Sequence, residues 1–330
     1  MKIRKLSHLI ILPLFIIGVS CNEPDGSRWT ELSENSFELY QKKEYKKALK
    51  KAKQSLDLAQ KAFGELSKES AESHSHIALL QVRLGKAIEA ELHFKEALKA
   101  IRSVHKAPHL DTIRILNHYG NFLASRQRYQ QSQEIVEESL GLTKKVLGPQ
   151  HPEVAKLYDV LGKVHRAKGE FEEAALALGK AVQIIKETQG RKHPKVALAL
   201  NNLAMALTKA KEYDKAEARL QQALRILENS LGSSHPRVAM SLESLSRLYE
   251  EKGELEKALK MSQRSLTLAR ANLESSSIRL AQPIKRVAYL LKKLGRQGEA
   301  KKLDEEALSL INKDPGGSSD PPGSVNEKPD

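Results

Sequence analysis

Three positions in this chain recur every 42 residues and hold a small side chain seven times over. The first row is Ser36, Ala78, Gly120, Gly162, Ala204, Ser246 and Ala288; the second is Ala48, Ala90, Ser132, Ala174, Ala216, Ala258 and Ala300. The third is Ser55, Ala97, Ser139, Ala181, Ala223, Ser265 and Ala307. Two helices pressed together need a small residue where their axes come closest. A fixed period of this length builds a stack of helix hairpins in which each unit touches its neighbours. The expectation is an all-α chain of about seven helix-turn-helix repeats, at 25–66, 67–108, 109–150, 151–192, 193–234, 235–276 and 277–312, with no insertion breaking the register. They read as one structural domain.

Composition agrees with this reading. Aromatics are scarce, at 5%, which suits thin Leu/Ala layers between helices better than one compact core. In the clearest repeat Pro152 stands where the first helical residue should be, a place where its missing N–H costs nothing. The same step recurs at His193-Pro194 and His235-Pro236. The first helix is expected to run to a turn at Lys168-Gly169 and the second from about Glu170 to Thr188, with Gly190 helping to end it and Gly148 and Gly232 in the same place. Ala174 and Ala181 lie two turns apart on one face of the second helix. Val182 follows them, in a row with Leu56, Leu98, Leu140, Leu224, Leu266 and Leu308. An aromatic stands at the turn as Tyr45, Tyr129, Phe171 and Tyr213.

The first twenty residues have the parts of an export signal: a basic start, an apolar stretch from Leu9 to Ile17, and small residues at Gly18 and Ser20. That stretch is too short to span a bilayer, which takes ~20 residues. The only cysteine, Cys21, follows at once. Removing the signal lowers the formal charge of +14 by three, through Lys2, Arg4 and Lys5. Residues 21–24 then read as an anchor site and short linker. Beyond the repeats, residues 313–330 are rich in Pro, Gly, Ser and Asp, with little apolar to bury, and read as a disordered tail.

The run Ile17-Gly18-Val19-Ser20-Cys21 resembles the lipobox of bacterial lipoproteins, although Gly18 stands where that pattern usually has a branched aliphatic. The resemblance implies lipidation at Cys21. Ordinary cleavage after Gly18-Val19-Ser20 would instead release a soluble protein with a free thiol. The repeats themselves resemble tetratricopeptide repeats of the 42-residue kinesin-light-chain type, most closely in His193-Pro194-Lys195-Val196-Ala197, Leu200-Asn201-Asn202-Leu203-Ala204 and Tyr213-Asp214-Lys215-Ala216-Glu217. Repeats one, two and seven depart most. The resemblance implies a right-handed superhelical solenoid whose first helices line a concave, peptide-binding face. Carried onto this sequence, the groove residues are Asn117, Asn121, Asp159, Lys163, Asn201, Asn202, Met205, Glu243, Arg247 and Lys285. Amides suit that task because each donates and accepts hydrogen bonds, whatever the side chains of the bound segment. The carboxylate clamp of the chaperone-binding subclass is not matched, since Ser33 and Phe37, then Ser75 and Leu79, stand at its positions.

Other chemistries are disfavoured. His109, His151, His193 and His235 stand one repeat apart, too far to share a metal, and are expected to meet unpaired backbone groups at helix starts. His74 and His76, two apart on a helix, point different ways. Lys42, Lys43, Lys46, Lys47, Lys50, Lys51 and Lys53 could meet acidic headgroups, but the commoner reading is a solvated helix face. No aromatic platform accompanies the charge, which argues against nucleic acid. The chain has no phosphate loop, His-Glu-x-x-His or nucleophile-elbow pattern, so neither an enzyme nor a cofactor is indicated. The functional expectation is a non-catalytic scaffold, exported to the periplasm or surface of a bacterium and lipid-anchored in its membrane, that binds a peptide segment of an envelope partner. The alternative is a structural surface protein that associates with itself through its end faces.

Overall fold

A computed structural model describes residues 24–313; the expectations for the signal, for Cys21 and for the tail beyond Lys313 lie outside the described residues. Those residues are helical throughout, in fourteen α-helices. They fall into two compact units that divide between Val104 and His105.

The first unit holds α1 (Pro24–Gln41), α2 (Tyr45–Phe63), α3 (Lys68–Arg83) and α4 (Ala87–Val104). Ala48, Ala52, Ile77 and Leu80 form its core, with Leu39, Tyr40, Tyr45 and Leu49 packed round them. The second unit holds α5 (Leu110–Ser125), α6 (Tyr129–Leu147), α7 (Pro152–Lys168), α8 (Phe171–Gln189), α9 (Pro194–Lys209), α10 (Tyr213–Leu231), α11 (Pro236–Glu251), α12 (Leu255–Asn272), α13 (Ala281–Lys293) and α14 (Gln297–Lys313). Second helices begin at 45, 87, 129, 171, 213, 255 and 297, so the period holds to the residue. Only the last first helix is shortened: residues Ile278–Leu280 make a 3-10 turn before α13. Pro283, near the start of α13, has no N–H to offer the preceding turn.

All twenty-one positions of the three small rows are buried. A Cβ added at Gly120 would stand 2.8 Å from Cγ2 of Val136, and one at Gly162 would collide with the Leu178 side chain. The glycines therefore mark the closest approach of α5 to α6 and of α7 to α8. Along the neighbouring row Leu98, Leu140, Val182 and Leu266 are buried, while Leu308 on the terminal helix is half exposed. On that helix Ala300, Ala307 and Leu310 face inward, and Lys301, Lys302 and Glu305 face solvent.

Both turn types are set by backbone sign. Residues 43, 85, 127, 169, 211, 253 and 295, one per hairpin, all have positive φ, between 60° and 86°; they are Lys43, Gly85, Gln127, Gly169, Lys211, Gly253 and Gly295. Between repeats, Gly64, Gly148, Gly190 and Gly232 adopt φ near 90° with ψ near 155°, a region open essentially to glycine alone. The next helix then starts on a capping side chain. His109, His151, His193 and His235 each accept, at Nδ1, the backbone N–H two residues on, at 3.1–3.2 Å. Ser67 caps α3 through Oγ. The histidine period thus has the local cause expected from sequence: each ring supplies one of the acceptors that a helix start lacks. Among the described residues no helix is long and apolar enough to cross a membrane.

Candidate binding groove on the first helices

Within the second unit α5 touches α7, α7 touches α9, and α9 touches α11, whereas successive second helices make no comparable contact. The first helices therefore crowd together and line the inner side of the stack, and side chains from neighbouring repeats meet there.

The groove positions carried over from sequence form two sets. Asp159 on α7 accepts from Asn202 Nδ2 on α9 at 2.7 Å and pairs with Lys163 at 2.6 Å. Glu243 on α11 pairs with Arg247 and with Arg286 of α13, each at 3.3 Å. Asn117 accepts from Ser139 Oγ on α6 at 2.5 Å, so its amide is partly committed within its own hairpin. Asn121 is exposed and Lys285 half-buried. Asn201 is 7% exposed and exchanges two hydrogen bonds with Ser241 of α11, Nδ2 to Oγ at 2.8 Å and Oγ to Oδ1 at 3.2 Å. As it stands, that amide joins two repeats and does not face open groove.

An open trough of about 910 Å³ lies a turn further along these helices. Met205 and Arg247, both foreseen, line it, with Phe171, Leu220 and Leu248 as its apolar floor. Its polar wall is Arg166, Lys209, Glu250, Glu251, Arg286 and Lys293. Glu250 gathers three donors: Lys293 Nζ at 2.6 Å, Tyr289 Oη at 2.8 Å and Arg286 Nη1 at 2.6 Å. Burial alone would push its pKa up, but hydrogen bonds from Lys293, Tyr289 and Arg286 outweigh that and bring it down to about 2. Lys209 pairs with Glu251 at 2.6 Å.

Arg166 differs from these. Its Nη1 lies 3.4 Å from Sδ of Met205, and among the described residues no carboxylate stands within ion-pair distance of it. Burial, only partly opposed by Asp159, lowers its pKa from the usual guanidinium value, although an arginine stays charged at neutral pH. A half-buried cation beside an apolar floor is suited to a carboxylate or a backbone carbonyl of a bound chain.

Arg166, Glu250, Arg286 and Lys293 were not among the positions expected from sequence. For Glu250, Arg286 and Lys293 the signal is a charge paired with its opposite 42 or 43 residues on: Glu243 with Arg286, Glu250 with Lys293, and likewise Lys209 with Glu251. A search for polar pairs four apart on one helix passes over it.

Two further histidines pair with neighbouring helices. His74 Nδ1 lies 2.7 Å from His93 Nδ1 on α4, and His76 Nε2 lies 2.9 Å from Ser36 Oγ on α1, so the two point at different helices as expected. His105, His109 and Asp111 bring donor atoms within 4.8 Å of one another. Yet the two rings stack at 3.6 Å, 12° from parallel, and an imidazole binds a metal in its own plane; parallel planes cannot share one ion. The Nδ1 of His109 is also already the helix cap. In the basic cluster of the first unit Lys42, Lys43, Lys46, Lys47, Lys50 and Lys53 are exposed and Lys51 half-buried, with Lys47 paired to Glu44.

A family model described as Tetratricopeptide repeat matches residues 111–187, 177–229 and 195–271. Among solved structures, a putative kinesin light chain from Podosopora anserina with nearly identical TPR-like repeats is similar at 22% identity, over 61% of this chain and 95% of that one, with a TM-score of 0.55. The apo form of RapI is similar at 14% identity, over 88% and 99%, with a TM-score of 0.64. A Rap protein complexed with competence and sporulation factor is similar at 13%, over 87% and 75%, with a TM-score of 0.51. At such identities the likeness is one of fold. No curated protein matches by sequence.

Proposed function

We propose that the chain, whose residues 111–187, 177–229 and 195–271 match the tetratricopeptide-repeat model, is a non-catalytic scaffold whose concave face holds an extended segment of another protein. The observation that carries this is the trough between α7, α9, α11 and α13: an apolar floor with Arg166 above it, which has no ion-pair partner among the described residues. Acids elsewhere in the trough already have cations, so the unmet electrostatic demand is for a negative or carbonyl oxygen near Arg166 and Met205. A fold neighbour is known in complex with a competence and sporulation factor, which makes a bound ligand a reasonable occupant for a stack of this kind.

The setting we propose is the bacterial cell envelope. The basic start, the apolar stretch from Leu9 to Ile17 and the cysteine directly after it support export, and the lipobox-like run supports a lipid on Cys21. The scaffold would then hold an envelope partner at the membrane. Cys21→Ala is expected to move the protein from the membrane pellet to the soluble fraction; retention of the variant in salt-washed membranes would count against lipidation.

Photocrosslinking in the native cell from a probe replacing Met205, with mass spectrometry of the adducts, tests the groove. One dominant partner, lost in Arg166→Glu, is the expected result. Adducts to the chain itself, unaffected by that change, would favour the self-associating surface protein instead.

A further inference from the structure

On the opposite side of the second unit, between α8 and α10, a crevice of about 630 Å³ is floored by Val182, Leu200 and Leu203, all buried. Lys186, Arg191 and Arg219 stand on its walls. Among the described residues none of these three side chains has a hydrogen-bond or ion-pair partner. One acid, Glu187, lies at the edge, and it accepts from Gln183 Nε2 at 3.0 Å. Lys192 and Lys195 extend the positive surface beyond Arg191.

The repeat supplies its own comparison. Lys186 corresponds to Glu228 and Arg270 in the next two repeats, and each of those faces an opposite charge 36 residues on: Glu228 with Arg264, Arg270 with Glu306 at 2.8 Å. Lys144, one repeat earlier, reaches the hydroxyl of Tyr158 at 2.8 Å. The residue 36 beyond Lys186 is Gln222, which brings no charge. No cross-repeat carboxylate reaches Lys186, and unlike Lys144 it has no tyrosine hydroxyl to meet; Arg219 and Arg191 stand beside it instead. Burial, then Arg219 and Arg191, lower the Lys186 pKa from the usual lysine value, as expected of a cation crowded by like charge. The opening also has a local cause: Gly179 stands where neighbouring repeats carry Glu137 and Gln221, and a Cβ placed on it would meet nothing within 4 Å.

We propose that this crevice is a second docking site, separate from the concave groove, for an acidic peptide segment of a partner protein. A Glu or Asp carboxylate of the segment sits between Lys186, Arg191 and Arg219. An adjoining apolar side chain covers Val182, Leu200 and Leu203. The charge imbalance selects an acidic occupant, and the floor selects one with apolar side chains beside its acids.

The test is fluorescence anisotropy of the full chain with a labelled octapeptide of alternating leucine and glutamate, beside the same peptide with glutamine for glutamate. The acidic peptide is expected to bind at least tenfold more tightly, and Arg219→Gln to weaken it by a similar factor. Gln222→Glu installs a carboxylate where the last repeat has Glu306 facing Arg270; it should close the site while leaving the melting temperature equal or higher, so lost binding there cannot be blamed on misfolding. Equal binding of the glutamine peptide, or undiminished binding by Gln222→Glu, would overturn the proposal. Displacement of the peptide by millimolar inorganic phosphate, or tighter binding to phosphatidylglycerol vesicles than to the peptide, would overturn it in favour of a general anion or lipid surface. This readout is independent of crosslinking from position 205, so either site can fail alone.

Discussion

Ser132, at the start of α6, donates its hydroxyl to the carbonyl oxygen of Gly120 on α5 at 2.8 Å, across the point where the two helices are closest. In the first repeat the same two rows meet with the roles exchanged: Ser36 on α1 donates to the carbonyl of Ala48 on α2 at 2.8 Å. A side-chain hydroxyl reaches the partner's backbone only if both positions are small, which is why one contact can be written from either side. Overpacking this approach should be costly. Gly162→Ala, which drives a Cβ into Leu178, is expected to destabilise the chain by about 1–3 kcal/mol in urea unfolding. Gly141→Ala, also mid-helix but with nothing within 4 Å, should stabilise by about 0.5–1 kcal/mol through the unfolded chain. Opposite signs from one substitution type would establish the packing cause; equal effects would refute it.

The hairpin turns give a second pair of opposed expectations. Lys211 holds φ at 61°, where glycine serves in four of the seven repeats. A non-glycine residue there carries roughly 1 kcal/mol of steric cost. Lys211→Gly should therefore raise the melting temperature and Gly169→Ala lower it, each by an amount equivalent to about 1 kcal/mol. A fall in melting temperature for Lys211→Gly would mean that the lysine side chain supports the turn in a way its backbone angle does not show.

Spacing made the scaffold legible and left the site half hidden. Helix starts, the twenty-one small positions and the capping role of His109, His151, His193 and His235 follow from local rules, since each depends on groups within one hairpin or one turn. The groove depends on what the next repeat presents. Asn201 looks like a free amide on α9 until Ser241 is placed against it, and Asp159 looks like an open acid until Asn202 and Lys163 close on it. Arg166 escapes notice for the converse reason: it becomes distinctive only when the surrounding acids have found other cations.

Acid should weaken the chain through histidines held neutral. Burial, against a weaker opposing hydrogen bond from Ser36, lowers His76 from 6.5 to about 4; burial and the adjacent His93 bring His74 to about 4 as well. Above pH 6.5 neither folded nor unfolded rings are charged, and the full stability is present. Between 6.5 and about 4 the unfolded chain takes up protons that the folded one refuses, so stability falls with pH, by about 3 kcal/mol for His76 alone at pH 4. Urea midpoints at pH 7 and pH 4.5, with hydrogen exchange followed over residues 24–104, should show that loss. His76→Gln, which keeps a partner for Ser36 Oγ, should flatten it, and a midpoint that does not move with pH would contradict the assignment.

Glu250 couples the groove's charge to its stability. Its carboxylate is shared by Arg286, Lys293 and Tyr289, with Glu250 and Arg286 side chains only 15% and 17% exposed. Such a position lies between a solvated ion pair, which contributes little, and a fully buried one, whose loss is severe, so Glu250→Gln should cost about 1–3 kcal/mol. Since the folded pKa is depressed to about 2, the carboxylate's contribution is present above pH 4.5 and is lost as pH falls toward 2, below the range in which the histidines act. The same substitution frees Lys293 in the trough that holds Arg166, while Arg286 keeps Glu243. If the groove selects its partner by charge, Glu250→Gln should increase crosslinking from position 205 to acidic segments even as it lowers the melting temperature. A variant that loses stability and crosslinking together would show instead that Glu250 shapes the groove, with its charge secondary to the positions of Arg286 and Lys293.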